Sequence, residues 1–377
     1  MPNTVLIAQP YIPKYRVPFF KGLIASLARA GLRLEIAVSR THSPNADASS
    51  GIPAWRIRDQ LSDFTGGRAH YRSQLLRRCE DPDVAMVIVE QAAKYLDVLP
   101  LLMRRKHPVG IWGHGGSYRN TRRLSARIRL EMSRRCDQFF VYTPAGRHFL
   151  VDHGVAAERV TVVHNTIDTA ALDRELRGVE AADLVRFRAE HGLVKGRTAL
   201  YLGRVDAAKD IDFLLESAAS AEAIRPGFTL LVGGQGDRSS TVTNAQLSGL
   251  PVRHLGRLDD HSKALAMAAS DIMMIPSWIG LVAVDSLVAG LPIVTRDNGT
   301  HCPESEYLHR STQSLWMPAN TTPQEYGRNA AALLGSPELE SMQRACRDAG
   351  ALHRMSQMVE AFQSGILSCL ERVSPSR

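Results

Sequence analysis

Three stretches of the 377-residue chain carry residue types and spacings suited to meeting a ligand. In Gly203-Arg-Val-Asp-Ala-Ala-Lys-Asp-Ile-Asp212, Arg204 and Lys209 share one loop-to-helix junction. A guanidinium fork and an ammonium point charge placed there could flank a diphosphate, although a merely exposed basic pair has the same pattern. Asp210 and Asp212 form a DxD, which elsewhere can hold a divalent metal beside phosphates. At a helix start, complementarity to the N-terminal dipole is the simpler reading. Val232-Gly-Gly-Gln-Gly-Asp237 offers Gly234 and Gly236 in a loop after an apolar run, but Ser239 stands where a GxGxxG would have its third glycine. A nicotinamide dehydrogenase is therefore not expected. His114, in Trp112-Gly-His-Gly-Gly-Ser117, follows another apolar run, among glycines that let a ligand approach closely. It is either a functional imidazole or a loop histidine bonded to backbone. Asp285 interrupts an apolar stretch at residues 281–289 and could lie on a solvated helical face.

These residues need elements to position them. Short apolar runs at 5–8, 34–38, 84–89, 109–112, 138–142 and 160–163 read as strands, with a helix at about 19–30 and helical patterns between most of the others. The alternation resumes at 198–202, 229–232, 252–255, 272–275 and 293–295, with Ser277 a candidate cap for the helix before Gly290. Alternating strands and helices with short loops imply two tandem doubly wound, Rossmann-like α/β domains facing a cleft. Ligands in such sheets bind beyond the carboxyl ends of the strands. That rule selects residues 11–16, with Tyr15 and Arg16, then 112–117, with His114 and Gly115, and 164–168, with Asn165. Residues 168–183 lose the strand pattern and read as the connection between domains 1–168 and 169–352, with a helix as one option within it. A helical pattern follows at 350–370.

Composition is that of a globular protein, 44% hydrophobic and 22% charged, and the net charge of +8 suits anionic partners. No apolar run approaches the roughly 18 residues needed to cross a bilayer, and the first residues lack a signal-peptide pattern. The five cysteines are far apart with no metal-binding spacing, which points to reduced cytosolic thiols and to no metal site. Arg119, Arg122, Arg123, Arg127, Arg129, Arg134 and Arg135 crowd one segment in which Leu124, Ile128, Met132 and Cys136 recur every fourth residue. Such a helix could rest on anionic lipid, or its stripe could simply face the core. Without interleaved aromatics, nucleic acid is not an expected partner.

In order, these pieces resemble the GT-B glycosyltransferases of family 4, the glycosyl transferases of group 1. The matching residues are Gly203-Arg204, Lys209 with Ile211-Asp212, Gly234-Gln-Gly236, Leu255-Gly256, Pro276-Ser277, Asp285 and Gly290-Leu-Pro-Ile-Val294. Asn165-Thr-Ile-Asp168 resembles the family's N-x-I/V-D signature, and the likeness runs from about residue 138 to 305. The resemblance implies a hexosyltransferase-type enzyme that moves a sugar from a nucleotide-diphosphate donor to a glycan or lipid-linked acceptor. Retention and independence of a metal or other cofactor are part of that implication. So are envelope or exopolysaccharide biosynthesis and a cytoplasmic or inner-leaflet peripheral location.

By the same resemblance, Arg204 and Lys209 bind the pyrophosphate beside Gly203, Gly234 and Gly236 and stabilise the leaving group. Asp285 holds the ribose and His114 touches the transferred sugar. Tyr15, Arg16, Gly115 and Asn165 lie on the acceptor side. A terminal helix, about 353–377, is expected to pack back on the first domain. Two departures stand out. Ser277 occupies the first acidic position of E-x7-E, for which Glu304 or Glu306 could substitute, and Asp210 replaces the glycine of K-G-I-D. Rival readings are a sugar-nucleotide epimerase or phosphorylase on the same fold, and a non-enzymatic basic protein that binds membrane or nucleic acid.

Overall fold

The computed structural model of the chain describes residues 2–39, 52–57, 60–64, 67–104, 106–116 and 123–373. The elements in chain order are β1 (Thr4–Gln9), α1 (Val17–Arg29), β2 (Arg33–Ser39), β3 (Ala54–Ile57), β4 (Gln60–Phe64), β5 (Gly67–Tyr71) and α2 (Ser73–Arg78). Then come β6 (Val84–Glu90), α3 (Val98–Arg104), β7 (Val109–Gly113), α4 (Arg123–Arg135), β8 (Gln138–Val141), α5 (Pro144–Asp152), β9 (Val160–Val162), α6 (Thr169–Arg177) and α7 (Ala181–His191). The second half adds β10 (Thr198–Leu202), α8 (Ile211–Ile224), β11 (Thr229–Gly233), α9 (Ser239–Leu247), β12 (Val252–Gly256), α10 (Asp260–Ala269) and β13 (Ile272–Met274). The last elements are α11 (Val282–Ala289), β14 (Ile293–Asp297), β15 (Ser314–Pro318), α12 (Pro323–Leu334), α13 (Leu339–Gly350) and α14 (Met355–Val373).

The chain divides into two units, one of Met1–Asn165 with Met355–Arg377 and one of Thr166–Arg354. Among the described residues, the first unit's sheet is parallel in the order β3-β2-β1-β6-β7-β8-β9. The second unit's sheet is parallel in the order β12-β11-β10-β13-β14-β15. Both are Rossmann-like, with strands buried on both faces, as parallel sheets require.

In the first unit the strand's period of two sends Val5 and Ile7 to one face and Leu6 and Ala8 to the other. Val5 and Ile7 meet Phe19, Phe20 and Leu23 of α1 with Phe362 and Ile366 of α14. Leu6 and Ala8 join Leu75, Leu102, Met132 and Leu150 in the opposite layer. Phe362 stacks on Phe140 at 4.2 Å and lies 4.9 Å from Trp112. The last helix is thus part of the first unit's core, and it completes the layer beneath β7.

Several features differ from the sequence reading. The short strands β3 and β15 and the antiparallel β4–β5 hairpin were not anticipated. Residues 168–183 are not a bare connection, because α6 and α7 pack on the second unit with Leu172 in its core and Leu176, Leu184 and Phe187 against it. The boundary falls at Asn165, not at Asp168. The terminal helix begins at Met355, after α13 has ended at Gly350. Ser277 is not a helix cap, because α11 starts at Val282 with Leu281 at its N-cap and no side-chain capping bond.

Candidate functional site

In the second unit, the loops after β10 and β11 are interlocked through their backbones. Gly203 N–H donates to Gly233 O at 3.0 Å, Val205 N–H to Gln235 O at 3.2 Å, and Gly234 N–H to Gly256 O at 2.7 Å. The approach is so close that a Cβ on Gly234, where φ is +139°, would lie 1.7 Å from Gly203 O. One on Gly236 would lie 2.2 Å from Asp206 Oδ1. These glycines therefore let one loop meet the other. Asp206 ties the assembly to Arg204, whose Nε lies 2.6 Å from Asp206 Oδ2 while its side chain stays 78% exposed.

An open cavity of about 570 Å³ lies at the carboxyl ends of β10 and β11. Gly203, Arg204, Gly234, Gln235, Arg257, Lys263 and Asp285 line it with Leu202, Leu258 and Val282. Asp285 is buried and bonded through Oδ1 to Lys263 Nζ, so it does not lie on a solvated helical face. Three cations and one carboxylate give this cavity a net positive lining, the sign that suits a phosphate-bearing ligand. Arg257 and Lys263 escaped the sequence reading. Lys263 pairs with a carboxylate 22 residues away on another helix, and no local pattern announces such a contact.

Lys209, Gly236 and Glu304 are not among the residues lining this cavity. Lys209 lies in a tight 3-10 turn, and its Nζ donates to Trp278 O at 3.0 Å. Burial pulls its pKa below the usual lysine value, with Cys302 and Asp206 acting in the opposite direction. Asp210, at the K-G-I-D glycine position, adopts φ +54°, a left-handed conformation that Asp tolerates better than most residues. Its Oδ2 is 2.6 Å from Arg296 Nη2, and Asp212 is 3.7 Å from Arg238, so both carboxylates of the DxD face arginines.

Trp278 also has positive φ, at +55°, and the segment around it is pinned from residues 298–301. Trp278 N–H donates to Thr300 Oγ1 at 3.3 Å, and Ile279 N–H donates to His301 Nδ1 at 3.1 Å. His301 Nε2 lies 2.7 Å from Arg296 O. The bond it accepts at Nδ1 fixes His301 as the neutral tautomer that donates from Nε2, and burial lowers its pKa in agreement. Ser277 is buried and donates to Ala208 O at 3.4 Å, so a hydroxyl ties two loops at the first E-x7-E position. Glu304 is buried in the 3-10 turn Pro303–Tyr307, whereas Glu306 is exposed.

In the first unit, His114 and Gly115 follow β7. Gln91 clamps this loop, because its Nε2 donates to Gly115 O at 2.9 Å and Gly115 N–H donates to its Oε1 at 3.1 Å. His114 is exposed, and its ring meets Tyr142 edge-on at 4.9 Å. Partial burial, then the cations of Arg16 and Arg129, push its pKa down to about 4, so it is an accessible neutral imidazole. Arg16 lies 4.2 Å over the Trp112 ring, donates to Tyr142 OH at 2.7 Å and lies 5.7 Å from the Tyr15 ring centroid. Asn165 is buried beyond β9. Gln91 and Arg129 were missed, and neither sits in a recognisable motif.

The arginine-rich helix has Met132 and Cys136 buried and Ile128 packed on the core, while Leu124 is 70% exposed. Its stripe therefore faces the core over most of its length. Ser117, Arg119 and Arg122 lie outside the described residues, as does the side chain of Arg123.

Comparison with known proteins agrees with this architecture. The Glycosyltransferase Family 4 profile matches residues 19–171 and the Glycosyl transferases group 1 profile matches residues 196–336. The chain is 34% identical over 109 residues to the phosphatidyl-myo-inositol mannosyltransferase of Mycobacterium leprae, covering 27% of this chain and 29% of the relative. It is 31% identical over 193 residues to the D-inositol 3-phosphate glycosyltransferase of Rhodococcus erythropolis, covering 41% and 42%. The chain thus spans less than half the length of these relatives. In structure it is similar to Anabaena HepE in complex with UDP, with a TM-score of 0.71, 14% identity, and 97% of this chain and 100% of that chain covered. A glycosyltransferase from Rickettsia africae gives a TM-score of 0.72 at 12% identity, covering 98% and 99%. With both halves matched in order and two parallel-sheet units of the right kind, the chain belongs to the family 4, group 1 glycosyltransferases and has the GT-B fold.

Proposed function

We propose that this protein transfers a sugar from a nucleotide-diphosphate donor to a glycan or lipid-linked acceptor in the cell envelope, with retention of configuration. The observation that carries this reading is the cavity beyond β10 and β11, where Arg204, Arg257, Lys263 and Asp285 converge. Arg204 supplies a guanidinium to the departing diphosphate, where negative charge grows as the glycosidic bond breaks. Asp285 accepts hydrogen bonds from the donor's ribose, and its bond to Lys263 Nζ orients it. Lys209, in the 3-10 turn that follows and outside the lining of this cavity, is the second cation of this reading. His114, neutral and accessible, contacts the transferred sugar.

The reaction proceeds without a resident metal in this reading. Its support is that Asp210 and Asp212 are each directed to an arginine, and that the cavity supplies cations for the phosphates itself. One relative's name concerns phosphatidyl-myo-inositol, a lipid, which supports a lipid-linked acceptor. No helix among the described residues is long and apolar enough to cross a membrane. We place the protein at the inner face by peripheral contact, with exposed Leu124 and Arg127 of α4 toward anionic lipid.

The test is a transfer assay with radiolabelled UDP-, GDP- and dTDP-sugars and envelope extract, with and without EDTA. Incorporation that survives EDTA, with the donor's anomeric configuration in the product by NMR, is the expected result. Release of an epimerised nucleotide sugar without an acceptor would sink the transfer reading. Loss of incorporation with EDTA, or an inverted product, would correct the metal or the stereochemical part.

A further inference from the structure

Trp278, in the loop between β13 and α11, is a bulky residue with a left-handed backbone, φ +55°. Glycine and a few small polar residues enter that region readily, and an indole held there is placed at a cost in stability. The loop around it is fixed through its own polar groups. Pro276 O accepts from Asn298 Nδ2 at 3.3 Å, and Ser277 Oγ donates to Ala208 O. Trp278 N–H donates to Thr300 Oγ1, and Trp278 O accepts from Lys209 Nζ. Ile279 N–H donates to His301 Nδ1, and Ile279 O accepts from Cys302 N–H at 2.8 Å. All of these groups are engaged within the unit. Residues 276–282, Pro-Ser-Trp-Ile-Gly-Leu-Val, contain no ionisable side chain. The main surface this loop offers a ligand is therefore the half-buried indole, which is largely apolar.

The place of that indole follows from Lys209. In the transferase reading the nucleoside lies at Asp285 and the diphosphate beside Arg204, with Lys209 as the second cation. Lys209 Nζ is bonded to the Trp278 carbonyl and lies 5.7 Å from the centroid of its ring. An ammonium has three donors and this carbonyl takes one, so the others can face a phosphate. Arg204 lines the nucleotide cavity, whereas Lys209 and Trp278 do not. Along a bound nucleotide sugar, the group that follows the diphosphate is the sugar. The indole beside Lys209 thus stands where the transferred sugar begins.

We propose that Trp278 selects the transferred sugar by packing its indole against an apolar surface of that sugar, and that the sugar bears a methyl group, as a 6-deoxyhexose or an N-acetylhexosamine does. The inference rests on the transferase reading and names the class of its donor sugar. A fully hydroxylated hexose would leave a hydroxyl against the indole, where it loses water without gaining a partner. A methyl group gains by leaving water at the same place.

The test is isothermal titration of the full chain with matched sugar nucleotides. UDP-glucose is compared with UDP-N-acetylglucosamine and UDP-rhamnose, GDP-mannose with GDP-rhamnose, and dTDP-glucose with dTDP-rhamnose. The two UDP comparisons separate an acetamido methyl from a 6-deoxy methyl. Free UDP, GDP and dTDP are titrated beside them, into wild type, Trp278→Gly and Trp278→Phe. Glycine adopts the left-handed backbone without strain, so Trp278→Gly is expected to keep the loop and its carbonyl bond to Lys209. In wild type a methyl-bearing sugar should bind about tenfold more tightly than its hydroxylated partner, the discrimination one methyl group commands in an apolar site. Trp278→Gly should remove most of this difference, and Trp278→Phe, which keeps an aromatic face, should retain most of it. Affinity for the free diphosphate should be the same in all three proteins. No preference in wild type, or a preference that survives Trp278→Gly, overturns the inference, while binding of a free diphosphate leaves the transferase reading standing. An equal loss for both sugars and for free diphosphate would show that Trp278 only supports the loop, which also overturns it. If wild type binds none of these nucleotides, both readings fail.

Discussion

The two units build their candidate sites by different means. In the second, the loops after β10 and β11 hold each other by backbone hydrogen bonds at distances only glycine permits, and the cavity is finished by one carboxylate and its lysine. In the first, the His114 loop also passes its neighbour closely at glycine, a Cβ on Gly146 lying 2.8 Å from His114 O, but its clamp is a side chain, Gln91, which bonds Gly115 at both N–H and C=O. Backbone interlocking needs particular residues at particular spacings. Side-chain clamping can recruit partners from anywhere in the fold.

Four substitutions probe that contrast, in decreasing order of expected effect. The first unit contains a fully buried ion pair, Arg72–Asp97, at 2.8 Å with side chains 1% and 0% exposed, and it does not line the site cavity. Arg72→Ala should lower stability by about 3–5 kcal/mol, the usual cost of leaving a buried charge alone, as read by denaturant melting. Next, Gly234→Ala forces a Cβ into Gly203 O and should cost about 3 kcal/mol and abolish nucleotide binding. Binding that survives in this variant would mean the loops need not touch.

Third, Gln91→Leu removes both bonds to Gly115 and should cost about 2 kcal/mol. Transfer activity should fall while nucleotide affinity stays constant. A matching loss of both would show that the two sites are not held independently.

The smallest effect is a pH dependence from His301. Its pKa in the fold lies below the ordinary 6.5 of the unfolded chain, so the fold favours the neutral ring. That contribution is fully present above the unfolded value and is lost as pH falls toward the lower folded value. The difference in stability between wild type and His301→Gln should therefore shrink on acidification from about pH 7 to about pH 5, by at most about 1.4 kcal/mol per unit. A constant difference would mean His301 does not titrate between these limits.

What could be read from the sequence follows the same division. The strands with long apolar runs, β1, β2, β6, β7, β10 and β11, were legible because both faces of a parallel sheet are buried. β3 and β15 were not, since each lies at a sheet edge and carries mixed residues such as Trp55-Arg56 and Trp316-Met317-Pro318. Helices α6 and α7 read in the sequence as a connection with at most one helix because their polar faces outweigh the few leucines that reach the core. In the second unit's cavity, the lining residues Gly203, Arg204, Gly234 and Asp285 belong to short motifs that are legible in the sequence, while Lys263 and Arg257 line it only through tertiary packing. Around His114 the loop itself was visible, but Gln91 and Arg129 were not, for the same reason. The candidate site of the N-terminal half is therefore the less legible of the two in the sequence.

The most direct test of the central claim is binding of nucleoside diphosphates to the second unit's cavity. UDP, GDP, dTDP and ADP, with the monophosphate CMP beside them, would be titrated by thermal shift against wild type, Arg204→Ala and Asp285→Asn. The account predicts that one diphosphate stabilises wild type by about 2.7 kcal/mol at 100 times its dissociation constant and that both substitutions reduce this effect. Equal stabilisation of all three proteins, or none with any diphosphate, would contradict it.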